Sequence, residues 1–481
     1  MSILLNPDTS WLLTVAEQLL SGKTYGLDIM ESNPPASALL YIPAVLFAKL
    51  TDITSETATV IYVLDLAALS WLFLSHLFRR RAVLSPKAFP AFFFGLAFFT
   101  DVFPFGHFAQ KEHVVLLLTL PYLGLAAVNT EDGRPAFPQK LAAGLGLGLA
   151  LCVKPHFVLV PAFITVATCL RRRRFSGFFN VEHAVAALIV LAYAALLLTL
   201  FSYYTSTVLP LTVEGYALLR KPFAELLLGP GGAFYDGVYV PVLLAVVVAL
   251  RLHYGANPVQ TVFLLAGCGF YAAFLAQGRG YSYQLYPATA CLFLAVCSGF
   301  SPAKPMWIVT RLAAVGAFLY LGLLFSLIPI LGVGLDLLVT YPGEIATLSA
   351  LKPQPDMLCL CTSPDTGFPD VRGAGGHWVG RYSHSWAAQA MTPQQVDEIA
   401  RGTLDAPQVR LTLQQIGDTA ADILENRPDL ILLENHPQFV TLVLNQADAT
   451  RALADYEEAT RLERPQGQII VYRLKSPAFG G

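Results

Sequence analysis

Uninterrupted apolar runs near the length needed to cross a bilayer dominate this sequence, and a water-soluble fold has no interior for so many of them. They lie at residues 56–78, 89–105, 113–129, 140–153, 157–170, 183–204, 238–250, 259–277, 285–300 and 307–331. Lipid offers the backbone no hydrogen-bond partners, so each run must satisfy itself as a helix. A polytopic α-helical bundle of about ten spans over 56–331 is therefore expected. Composition agrees, with 55% apolar and only 13% charged residues, where soluble proteins carry roughly 25% charged. A net charge of −2 supplies no basic field, which excludes DNA and RNA as partners.

Orientation follows from the basic residues beside the span ends, because Lys and Arg stay on the cytoplasmic side. Arg79–Arg81 and Arg171–Arg174 form two clusters, and Arg251 and Lys304 lie in loops of the same parity. With those loops cytoplasmic, the external parts are 1–55, 106–112, the turn at Lys154, 205–237, 278–286 and everything after about 332. The stretch Pro35 to Leu50 is apolar, but counting it as a span would reverse the parity, so it reads as an interfacial helix. Beyond Tyr341 the composition changes: 17 of the 33 acidic residues fall in 341–481 and long apolar runs stop. Short strand patterns at Met357–Cys361, Leu430–Glu434 and Ile469–Leu474, with helix patterns at Pro393–Gly402 and Ala447–Ala459, predict a small external α/β domain over 341–481. The segment 1–55 reads as an external loop with juxtamembrane helices.

Of the seven cysteines, Cys152, Cys169, Cys268, Cys291 and Cys297 fall in apolar runs and read as small core residues. Cys359 and Cys361 alternate on an expected strand, so neither a disulfide between them nor a zinc site is expected. No metal or cofactor is expected elsewhere.

Ionisable groups near the hydrocarbon are costly, yet here they gather in the external segments. Asp8 precedes a helical run and taken alone reads as a helix cap; Asp28 and Glu31 follow it, ahead of Pro34-Pro35. Lys111, Glu112 and His113 open a span, where Glu112 complements the helix N-terminus or pairs with Lys111. Lys154 sits at the mouth of a tight turn, where a snorkelling lysine is also at home. Arg279 precedes Tyr281, Tyr283 and Tyr286, which an interfacial aromatic belt would explain by itself. Together, carboxylates and single cations from four separate external segments match what an anionic lipid phosphate and a hydroxyl acceptor would require.

In these residues the chain resembles the GT-C superfamily of integral membrane glycosyltransferases, in the branch of bacterial aminoarabinose transferases and protein O-mannosyltransferases. The resemblance covers roughly residues 7–331. Asp8 and Pro34-Pro35 match the family's first external loop, and Glu112 matches a second acidic residue that opens a later span. Gly148 to Pro155 looks like the family's GL..LTKGP stretch, with Lys154 in the lysine's place and the following glycine missing. Arg279 to Pro287 looks like its late basic turn. The resemblance implies an inverting transfer from a polyprenyl-phosphate sugar donor to a lipid, glycan or protein hydroxyl on the external face of the inner membrane. It implies Asp8 as the base, Lys154, Arg279 and Tyr283 at the donor phosphate, and Glu112 positioning the acceptor or Lys111. Asp28, Glu31, Lys111 and His113 are secondary candidates. Members carry a span before the first acidic residue, whereas seven residues precede Asp8, which leaves two alternatives: a start at an internal methionine, or a lost first helix.

Three other functions compete. A transporter or flippase of a lipid-linked or anionic substrate would place ionisable groups at mid-membrane and show internal symmetry; Asp65 is the clearest deep carboxylate, and no two halves match. A ligase of the O-antigen type would carry an arginine-rich external loop, where 205–237 offers only Arg220-Lys221. A noncatalytic assembly factor would have no need of the polar turns.

Overall fold

A computed structural model of the chain describes residues 4–86, 88–102, 104, 107–129, 135–228, 233–299, 342–390, 395, 398–399, 407–464 and 467–475. In chain order the α-helices before residue 300 are α1 (Pro7–Leu20), α2 (Ala36–Leu39), α3 (Ile42–Thr51), α4 (Ser55–Arg81), α5 (Ala88–Ala97), α6 (Lys111–Val128), α7 (Phe137–Val153), α8 (Leu159–Arg172), α9 (Val181–Thr199), α10 (Leu209–Leu218), α11 (Phe223–Leu228), α12 (Ala233–Tyr254), α13 (Pro258–Gln277) and α14 (Ser282–Ser298). Nine of the ten apolar runs are thus helical, and 307–331 lies outside the described residues. By length and hydropathy α4, α6, α9 and α13 are each able to cross a membrane. The chain is a multi-pass membrane protein. The stretch expected as one interfacial helix is two, α2 and α3, with Pro43 in the first turn of α3. Between 205 and 237, expected as an external loop, the chain forms α10, α11 and the start of α12.

Two compact units make up the chain. One comprises Met1–Ala58, Leu197–Leu219 and Val339–Gly481; the other comprises Thr59–Leu196 and Arg220–Leu338. Segments read from the sequence as a separate loop (1–55) and a separate domain (341–481) therefore share one unit. Its mixed sheet has the order β2-β1-β3-β5-β4, built from β1 (Asp356–Leu360), β2 (His377–Trp378), β3 (Leu430–Asn435), β4 (Tyr456–Arg464) and β5 (Gly467–Leu474). β1 runs parallel to β2 and β3, and β5 pairs antiparallel with β3 and β4. The three expected strands are present. The expected helix Ala447–Ala459 stops at Leu453 and gives way to β4. There the charged side chains pair across the ladder, Glu457 opposite Arg473 at 2.7 Å, so polarity marks an exposed strand face rather than a helix. Most of Pro393–Gly402 lies outside the described residues.

Apolar and ionic contacts both tie α1 to this sheet. Trp11 packs against Phe368 and Trp378 at ring separations of 5.5 and 6.4 Å. Arg372 reaches Glu17 at 2.8 Å, Thr14 at 2.9 Å and also Glu56. Contrary to expectation, Cys359 and Cys361 form a disulfide. Residues two apart on a strand project to the same face, and Cys361 already lies one position past the end of β1.

In the second unit α13 packs on α14, α8 and α6, and α6 on α7. Small residues permit this: a Cβ at Gly146 of α7 would lie 2.2 Å from the carbonyl oxygen of Leu118 in α6.

Candidate functional site

α7 ends at Val153, and the following Lys154 is extended because Pro155 disfavours a helical residue before it. The lysine head turns inward. Its Nζ donates to Glu112 Oε1 at 2.5 Å and to Gln277 Oε1 at 2.9 Å. Glu112 stands in the first turn of α6, where the positive end of the helix favours a carboxylate, and its side chain is only 1% exposed. Lys111 approaches the other carboxylate oxygen at 3.9 Å and is itself 3% exposed. A buried ammonium and a mostly buried one therefore both approach the buried carboxylate of Glu112.

α14 closes this cluster from another side. The Nζ atoms of Lys111 and Lys154 lie 5.1 and 5.8 Å from the centroid of the Tyr283 ring, on which cations are attracted. Tyr281 stacks on Tyr283 at 5.5 Å, and His107 meets its edge at 6.2 Å while bonding Ser282 Oγ at 3.2 Å. Arg279 sits between Gly278 and Gly280, both at positive φ, so the chain leaves α13 and re-enters α14 in a tight turn. The segment before α11 fastens that turn: Lys221 N donates to Gly278 O at 2.7 Å, and Arg220 donates to Ala276 O at 3.2 Å.

Electrostatics mark the cluster as cation-rich. Burial pushes the Lys154 ammonium down to about 8 against the opposing pull of Glu112, and the charges of Lys111 and Arg279 push the same way as burial. His156, in the same turn, is lowered by burial and then by Lys154, Arg279 and Arg220. Glu112, Lys111, Lys154, Arg279 and Tyr283 thus belong to one neighbourhood. Glu112, expected to hold the acceptor or Lys111, holds Lys154 more closely. Neither Gln277 nor His107 stands out in the sequence, and Arg220 does so only as half of the Arg220-Lys221 pair.

The remaining candidates have structural partners. His113 is buried and its Nδ1 accepts from Ala109 N at 3.1 Å, closing the turn that leads into α6. In the first unit, Asp28 accepts from Thr24 N at 2.8 Å. Glu31 accepts from Asn33 N at 2.5 Å, from Asn33 Nδ2 at 2.6 Å and from Trp11 Nε1, anchoring the loop before Pro34. Asp8 is half-buried in the first turn of α1, and the cap is not Asp8 but Asn6, whose side chain accepts from Thr9 N at 2.9 Å.

A bundle of apolar helices joined to a small α/β domain, with polar turns at the helix ends, defines the class: the chain has the GT-C fold of membrane glycosyltransferases. Among solved structures it is similar to ArnT from Cupriavidus metallidurans bound to undecaprenyl phosphate, with a TM-score of 0.55 and 14% identity over 98% of this chain and 94% of that one. The apo state of the same protein gives a TM-score of 0.54 at 13% identity over the same shares, 98% and 94%. The archaeal oligosaccharyltransferase AglB from Archaeoglobus fulgidus, in complex with an inhibitory peptide and a dolichol-phosphate, gives a TM-score of 0.45 at 11% identity over 99% of this chain and 71% of that one. No family model and no curated protein matches the chain.

Proposed function

We propose that the protein is an inverting glycosyltransferase that moves a sugar from a polyprenyl-phosphate donor to an acceptor hydroxyl on the external face of the membrane. The observation that carries the reading is the gathering of Lys111 and Lys154 about the carboxylate of Glu112 beside Tyr283. Such a gathering of cationic donors suits a lipid phosphate. ArnT, whose fold the chain shares, is a protein whose structure holds undecaprenyl phosphate.

In this reading the acceptor oxygen attacks the anomeric carbon and gives its proton to the Asp8 carboxylate. The bond from that carbon to the phosphate oxygen breaks, its electron pair stays on the phosphate, and polyprenyl phosphate leaves with one more negative charge. Lys154 and Arg279 stabilise that charge, Tyr283 lies against the cations, and Glu112 holds Lys154. Attack opposite the leaving group inverts the anomeric configuration.

Lipid-linked sugars extracted from cells with and without the gene test the reading. The gene's loss should make one polyprenyl-phosphate sugar accumulate, and restoring Lys154→Met or Arg279→Met should leave it high, because losing a charge-assisted contact weakens donor binding by roughly tenfold or more. Unchanged pools would overturn the proposal, and a lipid that moves between leaflets without losing its sugar would favour a flippase.

A further inference from the structure

Gln277 is the last residue of α13, and nothing about its type demands a polar side chain there. Its amide is held at both ends: Nε2 donates to Ala273 O at 3.2 Å and Oε1 accepts from Lys154 Nζ at 2.9 Å. Since the Nε2 end is committed to its own helix, the oxygen must face the lysine, which settles the amide's orientation. The next residue, Gly278, ends the helix with φ +71 and its carbonyl is held by Lys221 N, so the backbone beneath Gln277 is fixed as well.

An ammonium has three N–H donors. Glu112 takes one and Gln277 takes another, without adding a second negative charge. We infer that Gln277 is a positioning residue for the donor phosphate: with Glu112 holding one N–H of Lys154, it holds a second and so aims the third at a phosphate oxygen. This rests on the reading of Lys154 as a donor-phosphate ligand. A carboxylate at 277 would hold the lysine between two anions and oppose a phosphate; an apolar residue would leave the ammonium held by Glu112 alone, with its other two N–H groups unaimed.

The charged and titratable groups facing Lys154 are Glu112 and Lys111 from α6, His156 from its own turn, and Arg279 and Tyr283 from the turn into α14, while Arg220 from the segment before α11 acts on His156. None of them is altered by a change at Gln277, so the lysine's titration reports the substitution.

The test is binding of undecaprenyl phosphate to the full-length protein in detergent across a pH series spanning that titration, with uncharged undecaprenol as the control. Wild type should bind the phosphate more tightly than the alcohol, losing the difference on an alkaline limb. Gln277→Leu removes an acceptor that favours the ammonium, so its limb moves to lower pH. Gln277→Glu moves the limb to higher pH yet weakens binding below it by about tenfold. General damage to the fold would not shift the two limbs in opposite directions. If Gln277→Leu does not fold, the near-isosteric Gln277→Glu decides alone by the direction of its limb. Phosphate-dependent binding with unmoved limbs overturns the positioning role and leaves the donor reading intact. Wild-type protein that binds phosphate and alcohol alike overturns both.

Discussion

Asn6, not Asp8, caps α1, and that separates two roles that the sequence alone leaves superimposed. Asn6→Ala should lower stability by about 1 kcal/mol, the usual cost of a lost N-cap, and leave the transfer rate per folded molecule unchanged. Asp8→Asn keeps a polar group of the same shape in the first turn and removes a basic oxygen. Its melting temperature should match wild type while transfer falls by roughly 100-fold, the scale of a lost general base. Normal transfer by the Asp8→Asn protein would remove Asp8 from the chemistry. The residue types of this site were legible, because Lys and Glu at span ends are expensive enough to stand out. Pairings were not: that Glu112 meets Lys154 depends on how α6 and α7 pack, and Gln277 carries no charge to draw attention.

Among elements, the spans were readable because their length is set by the bilayer rather than by partners. β4 was not, since an exposed edge strand with Glu and Arg on its outer face has the composition of a surface helix, and only its register on β5 distinguishes the two. The end of β4 holds a less obvious feature. Arg464 bonds Glu344 Oε2 at 2.5 Å, in the helix Pro342–Leu351, and Asp370 Oδ2 at 2.7 Å, and all three side chains are at most 7% exposed. One guanidinium thus faces two buried carboxylates. Burial, with the neighbouring Glu344 adding to it, raises Asp370 to about 8 in spite of Arg464, so the folded trio keeps a proton that the unfolded chain releases near pH 4. Folding then takes up a proton between those limits. Stability from this group is complete below about pH 4 and is lost as pH rises toward 8, with a slope of at most ~1.4 kcal/mol per pH unit. Denaturant midpoints of wild type and Asp370→Asn across that range should converge or cross as pH rises, since the amide carries no such proton. Parallel curves would show that Asp370 holds no such proton.

For the whole molecule, sidedness in the membrane is the property on which the proposed chemistry depends. By the positive-inside rule the arginine clusters at Arg79–Arg81 and Arg171–Arg174 are expected in cytoplasmic loops, an orientation that would place the C-terminal region outside. The Cys359–Cys361 disulfide provides an independent check, because disulfides persist in oxidising compartments and are reduced in the cytosol. A reporter fused after Arg174 should read as cytoplasmic and one fused at the C-terminus as external. In protein alkylated under denaturing conditions before any reductant is added, the peptide carrying Cys359 and Cys361 should stay unmodified and gain two alkyl groups only after reduction, while the five free cysteines react at once. The two measurements fail in different ways. If the C-terminal reporter is cytoplasmic and the pair alkylates without reduction, the orientation is inverted and an external acceptor is ruled out. If the reporter is external but the pair still alkylates, the topology stands and only the disulfide is wrong.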